Sequence, residues 1–319
     1  LCRAAVCMST GAFGQDDPYA PEWKQVDSLL QNSHPKSAEK AVKEIYSKAQ
    51  DAGHPAQAMK AQIYLLNIAA DHRNQADSQQ IAVAEQESRS AAFPYNAIWH
   101  SFAADLYWQY YENNRWKILN RTRTAGSTED DSDFAFWDAS RFYEKVSAFY
   151  LRSLENSSEL RKVDLSQIHP LVKKGERTEG LRPTLYDLLV FRALSFFENE
   201  EKDLTRPASR FIMSDAAAFA PAADFVRKPF VTDDSSSLHH KALQLYQDLL
   251  GFHLNDKDPG ALIDADLHRL AFVYQYSVLA DKKLLYRKAL ERIAEAYPDH
   301  ALSALARHRM VLSILEKEN

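Results

Sequence analysis

From Pro21 onward the apolar residues recur at every third or fourth position, segment after segment, with proline or small polar residues at segment starts and glycine or asparagine at their ends. A period near 3.6 residues puts those side chains on one face of a helix, and a chain patterned this way throughout has little else to fold into. Glycine supports the same conclusion. Only 8 residues of 319 are glycine, which disfavours a turn-dense β design and a glycine-lined phosphate loop.

PEWKQVDSLLQN places Trp23, Val26, Leu29 and Leu30 on one face, with Pro21 in the tolerated first turn and Asn32 and Ser33 at the end. PKSAEKAVKEIYSKAQDAG repeats the design with Ala38, Ala41, Val42, Ile45 and Ala49 inward, and Gly53 stands where a left-handed cap is wanted. The pattern predicts a third helix from Pro55 to Arg73 and a fourth from Ser78 to Ala91, before the break at Phe93-Pro94. Two later segments echo the second helix. Ala41-Val42-x-x-Ile45, Ala242-Leu243-x-x-Tyr246 and Ala289-Leu290-x-x-Ile293 share a small-large-x-x-large motif, followed eight residues after the alanine by Ala49, Leu250 and Tyr297. The small residue admits a neighbouring helix and the large ones fill the groove beside it. Pro298 then breaks the chain, and Ala301, Leu305, His308, Met310 and Leu312 mark the expected inward face of a partner helix. Paired helices with a small contact residue and a proline at the turn resemble tetratricopeptide hairpins, here as a degenerate array.

Three stretches interrupt the pattern. Residues 124–133 are polar and acidic enough for a loop, and 164–183, with His169-Pro170 and KKGERTEG, read as another. The longest interruption, 203–237, carries Phe211, Ile212, Met213, Phe219, Phe225 and Phe230, enough apolar surface to dock extended along the helices.

Net charge is −5 with a pI near 6.1, so no global basic field draws the chain to nucleic acid or anionic lipid. No segment offers roughly 20 uninterrupted apolar residues for a membrane span. Cys2 and Cys7 are the only cysteines, a usage compatible with export and with thiol-free cytosolic helical proteins alike. The first 14 residues resemble the tail of a secretory signal peptide, with Ala12 and Gly14 at −3 and −1 before Gln15. Val6 before Cys7 weighs against a lipid anchor. The expected compartment is the periplasm or cell envelope.

The densest aromatic stretch is YWQYYENNRWKILNRT, where Tyr107, Trp108, Tyr110, Tyr111 and Trp116 interleave with Arg115, Lys117 and Arg121. Such a mixture serves a sugar, a nucleic acid or another helix. At about 100° per residue, Trp99, Phe102, Ala103, Leu106, Tyr107 and Tyr110 form one stripe, which reads as core, and Trp108 points the other way. Metal chemistry has little support: His239-His240 diverge on a helix, and Asp264/His268 at i, i+4 make a single pair. No nucleophile elbow, zinc-protease motif, Walker loop or dinucleotide fingerprint is present. The carboxylates are scattered among lysines as on a solvated surface, although a catalytic pair assembled in space leaves no mark in a sequence.

EWKQVDSLLQNSHPKSAEKAVKEIYSKA (22–49), ADLYWQYYENNRWKILNRT (104–122), FYLRSLEN (149–156), RPTLYDLLVFRALSFFEN (182–199) and FAPAADFV (219–226) together resemble the N-terminal region of bacterial alpha-2-macroglobulin family proteins of the Bacteroidetes type. The resemblance implies a helical leader to a train of β-sandwich domains in an exported envelope protein of a protease-inhibiting family. It carries over no functional residue: residues 15–319 hold no cysteine for a thioester and no bait region.

The expectation is therefore an all-α, tetratricopeptide-like solenoid, with 15–319 as one helical-repeat domain. Its expected role is that of a non-enzymatic docking module without cofactors, whose partners are downstream macroglobulin domains or another envelope protein. Tyr111, Arg115, Trp116, Phe219 and Phe225 are the candidate contact residues. The alternative is a glycan-binding protein of the starch-utilisation D-type (SusD-like), which requires exposed, coplanar rings. A third class, a helical hydrolase or lyase, requires convergent carboxylates with raised pKa.

Overall fold

The computed structural model describes residues 17–70, 76–120, 134–173, 175, 180–199 and 209–315. The expected leader at 1–14, the loop at 124–133 and the first part of the 203–237 stretch lie outside the described residues. Among those described, every regular element is a helix, and a lone bridge between Asp164 and Thr184 is the nearest approach to a strand. One domain is expected from the sequence. The structure divides into two compact units, 1–176 with 184–189, and 177–183 with 190–319.

The first unit begins with α1 (Ala20–Gln31), α2 (Pro35–Asp51) and α3 (Pro55–Ala70), in which α2 packs on both neighbours. Prolines open α2 and α3 at the first helical position, where their missing N–H costs nothing. The predicted stripes are the buried ones: Trp23, Val26, Ala38, Val42, Ile45 and Ala49 form one cluster with Tyr19, Ala61, Tyr64 and Ile68. The Trp23 indole donates to Gln57 Oε1 at 2.8 Å, and the Lys60 ammonium lies 4.2 Å from the Trp23 ring centre. α4 (Ala76–Ser90), α5 (Tyr95–Leu119) and α6 (Ala139–Arg152) follow, with α5 packed against both flanking helices. Asp138 caps α6 by accepting from the Arg141 N–H at 2.9 Å. A short α7 (Ser157–Leu160) and a 3₁₀ turn over Leu165–Leu171 complete the unit, the turn resting on α3.

α8 (Leu185–Phe197) contributes its residues from Val190 onward to the second unit. There α9 (Ala222–Arg227), α10 (Leu238–His253), α11 (Gly260–Tyr276), α12 (Lys282–Ala296) and α13 (Ala301–Leu315) pack each on the next. The echoed motif is core in both units. Val42, Leu243 and Leu290 are fully buried, as are Ala242 and Ala289 to within a few per cent.

α13 departs from expectation. Ala301, His308 and Leu312 are exposed and Leu305 only half-buried, whereas Ser303, Ala306 and Ser313 are the buried face. α13 packs on α12, and small side chains permit that close approach, so the helix buries its small face and leaves its apolar one uncovered.

Both early helix ends use the same reversal. His54 N–H donates to Ala49 O at 2.8 Å with Gly53 at φ 67°, and His34 N–H donates to Leu29 O at 2.8 Å with Ser33 at φ 59°. Glycine tolerates that left-handed backbone, while a Cβ adds strain. Urea unfolding should therefore show Ser33→Gly more stable by about 0.5–1 kcal/mol and Gly53→Ala less stable by about 1 kcal/mol.

Candidate functional site

The aromatic belt lies between α5 and α6. Tyr107 stacks on Trp137 with ring centres 5.5 Å apart and planes 12° apart, and Trp108 stacks on Tyr111 at 5.1 Å while meeting Tyr143 edge-on at 5.3 Å. Trp99, Phe102, Tyr107 and Tyr111 are all buried. Trp108 and Tyr110 are only half-buried. Glu85 Oε1 accepts from the Tyr107 hydroxyl at 2.7 Å and lies 3.0 Å from Lys145. Burial pushes the Glu85 carboxyl up, but the bonds from Tyr107, Lys145 and Arg89 outweigh it and hold the group below its ordinary value.

The expected contact residues separate into two groups. Arg115 and Trp116 are exposed, Trp116 at 79%, since a residue nine positions beyond Tyr107 points about 180° away from it. Tyr111, Phe219 and Phe225 are buried, which corrects their assignment to a contact surface. Tyr111 falls four residues after Tyr107 on the side facing α6, and the two phenylalanines anchor the long interruption to the second unit.

The remaining titratable groups do not converge. His239 and His240 diverge as adjacent helical residues must, to the Asn199 carbonyl at 3.1 Å and the Phe230 carbonyl at 2.7 Å. Asp264 lies 3.7 Å from His268 and 3.6 Å from Arg182, which covers Phe191 at 3.7 Å. Burial lowers the His268 pKa, Asp264 opposes this, and Arg182 and Arg309 lower it further. Among the described residues no group of three or more His, Cys, Asp or Glu side chains is placed to hold a metal. Burial raises the carboxyls of Asp27, Glu198 and Asp266, but each has its own partner: Tyr64, Tyr246 and Arg269.

The most developed polar arrangement holds the long interruption in place. From 209 to 237 the chain runs largely without regular structure, apart from a 3₁₀ turn at Ala216–Phe219 and α9, and its carbonyls need donors. Arg269, fully buried on α11, donates from Nη1 to Ala218 O and from Nη2 to Ala220 O, both at 2.9 Å. Its guanidinium also lies 4.4 Å from the Phe225 ring centre. Arg292 on α12 donates to Phe219 O. Gln247 on α10 reaches Phe225 O at 2.8 Å and Lys228 O at 2.6 Å. Asp266 neutralises Arg269, its Oδ1 lying 2.7 Å from Nη2 as an ion pair without good hydrogen-bond direction. Beside this clasp, α11, α12 and Ala220–Ala222 border a cavity of about 130 Å³ that is partly open to solvent, lined by Leu262, Ile263, Asp266, Arg292 and Ile293 among others. No sequence motif marks this site: Arg269 reads as an ordinary helical arginine until the 209–237 stretch is laid across it.

The other conspicuous surface is α13. Val311, Leu312, Ile314 and Leu315 are 47–70% exposed, spread over roughly 160° of the helix opposite buried Ser313. No described helix is long and apolar enough to cross a membrane. No protein-family model, curated protein or solved structure matches the chain.

Replacing Arg269 by methionine strands Asp266 and leaves the Ala218 and Ala220 carbonyls without donors, so urea unfolding should show a loss of about 3–5 kcal/mol. Acid response has a definite sign in the second unit. Burial lowers the His239 pKa, so its stabilising contribution is present above the unfolded value of 6.5 and is lost as pH falls below it. Burial raises the Glu198 carboxyl, whose contribution is present at low pH and is lost as pH rises from 4.5 through its folded value. The fall in urea midpoint on acidification should thus flatten in His239→Gln and steepen in Glu198→Gln.

Proposed function

We propose that the chain is a non-catalytic docking module, a tetratricopeptide-like array at the N-terminal end of a larger exported protein of the bacterial alpha-2-macroglobulin kind. Its partner is a β-sandwich domain of the same polypeptide, seated on α13. The observation that carries this reading is the bare apolar arc of Val311, Leu312, Ile314 and Leu315. An outermost helix of a stacked array ordinarily turns a polar face to water, and an uncovered apolar arc on such a helix is a contact surface. Other features support it. Asp27, Glu198 and Asp266 have separate partners, Trp99, Tyr107 and Tyr111 are interior, and the segments that resemble the family supply much of the core, Trp23, Val42, Tyr107, Phe149 and Phe225 among them.

The test begins with the reading frame past Asn319. An in-frame β-sandwich domain, prepared separately, should bind this chain in titration calorimetry. Replacing Leu312 and Leu315 by aspartate should weaken that binding at least about tenfold while circular dichroism shows unchanged helix content. A frame that encodes no such domain, or binding indifferent to the double substitution, overturns the proposal.

A further inference from the structure

We propose that the cavity between α11, α12 and Ala220–Ala222 binds a short aliphatic 2-hydroxy acid, with its carboxylate on Arg292, its hydroxyl on Asp266 Oδ2 and its alkyl group against Leu262, Ile263 and Ile293.

Size sets the first limit. At about 130 Å³ the cavity is close to the roughly 150 Å³ apolar cavity that accepts a benzene ring. Its floor is apolar, with Leu262, Ile263, Leu270 and Ile293 all buried, and so takes a branched alkyl group of a few carbons.

Charge sets the second. Asp266 and Arg269 cancel as a buried ion pair, which leaves Arg292 as the surplus cation of the lining. Among the described residues the Arg292 guanidinium donates only to Phe219 O, and the side chain is exposed at the rim. Its remaining N–H groups suit a carboxylate, and a monoanion balances the site.

The hydroxyl follows from Asp266. Its Oδ1 is sealed from solvent, yet the side chain keeps 10% exposure, and no described residue donates to Oδ2, so Oδ2 is the oxygen open to the cavity. An ammonium there would add a cation beside Arg269 and Arg292. A hydroxyl adds no charge and donates to the Oδ2 of the ion-paired carboxylate.

Titration calorimetry of the whole chain with 2-hydroxy-3-methylbutanoate tests the assignment independently of any partner on α13. Binding is expected, with losses of at least about tenfold for 3-methylbutanoate, which lacks the hydroxyl, for 2-hydroxy-3-methylbutanamide, which lacks the anion, and for Arg292→Gln. Arg292→Lys should bind more tightly than Arg292→Gln, and Ala222→Leu, at the cavity rim, should abolish uptake with circular dichroism unchanged. Amide shifts of Ala220 and Ala222 in nuclear magnetic resonance spectra should move with the hydroxy acid. No heat and no shift would overturn the site, as would equal binding of all three compounds or indifference to Arg292→Gln.

Discussion

Helices with a single apolar stripe are stable only against another stripe, and the closeness of that contact depends on what lies at its centre. In this protein small residues hold that place repeatedly: Ala38, Ala49 and Ala61 in the first unit, Ala242, Ala265 and Ala289 in the second, and Ser303 and Ala306 on α13 are buried to within a few per cent of complete. Around them the large side chains interdigitate. Most of the remaining architecture, including the aromatic belt and the uncovered arc of α13, follows from where those close contacts fall.

Close-packed helices satisfy their own backbones, but the irregular parts of the 209–237 stretch do not. They must be tied down by side chains from the helices beneath them. Arg269, Arg292, Gln247 and His240 each donate to carbonyls of that stretch, one arginine at full burial with Asp266 beside it. A buried guanidinium is tolerable only when several acceptors and a counter-charge surround it. The same requirement explains the cavity: the stretch presents Ala220, Pro221 and Ala222 where it crosses α11 and α12, and such small residues leave the groove partly filled.

Much of the helical content was legible. The stripes of α1 and α2, the left-handed cap at Gly53 and the docking of Met213, Phe219 and Phe225 follow from periodicity and composition, because burial of an amphipathic face is a local property of the sequence. The candidate surfaces were legible only in part. Trp116 is exposed as expected, while Tyr111 is covered by α6, a helix some thirty residues further along the sequence that no local pattern links to it. Ile212, counted among the docking residues, is 53% exposed, because the turn closed by Ser214 N–H on the Ile212 carbonyl buries Met213 instead.

α13 marks the boundary between the two kinds of information. Its residue pattern determined that it is a helix and that one side of it is apolar, since helical propensity and periodicity are carried by neighbours in the chain. Which side meets α12 was decided by tertiary packing, where the smaller Ser303–Ala306–Ser313 face allows the shorter interhelical distance. The pairing of Arg269 with carbonyls some fifty residues away belongs to the same category. A sequence names the donor, but only the folded chain brings an acceptor to it.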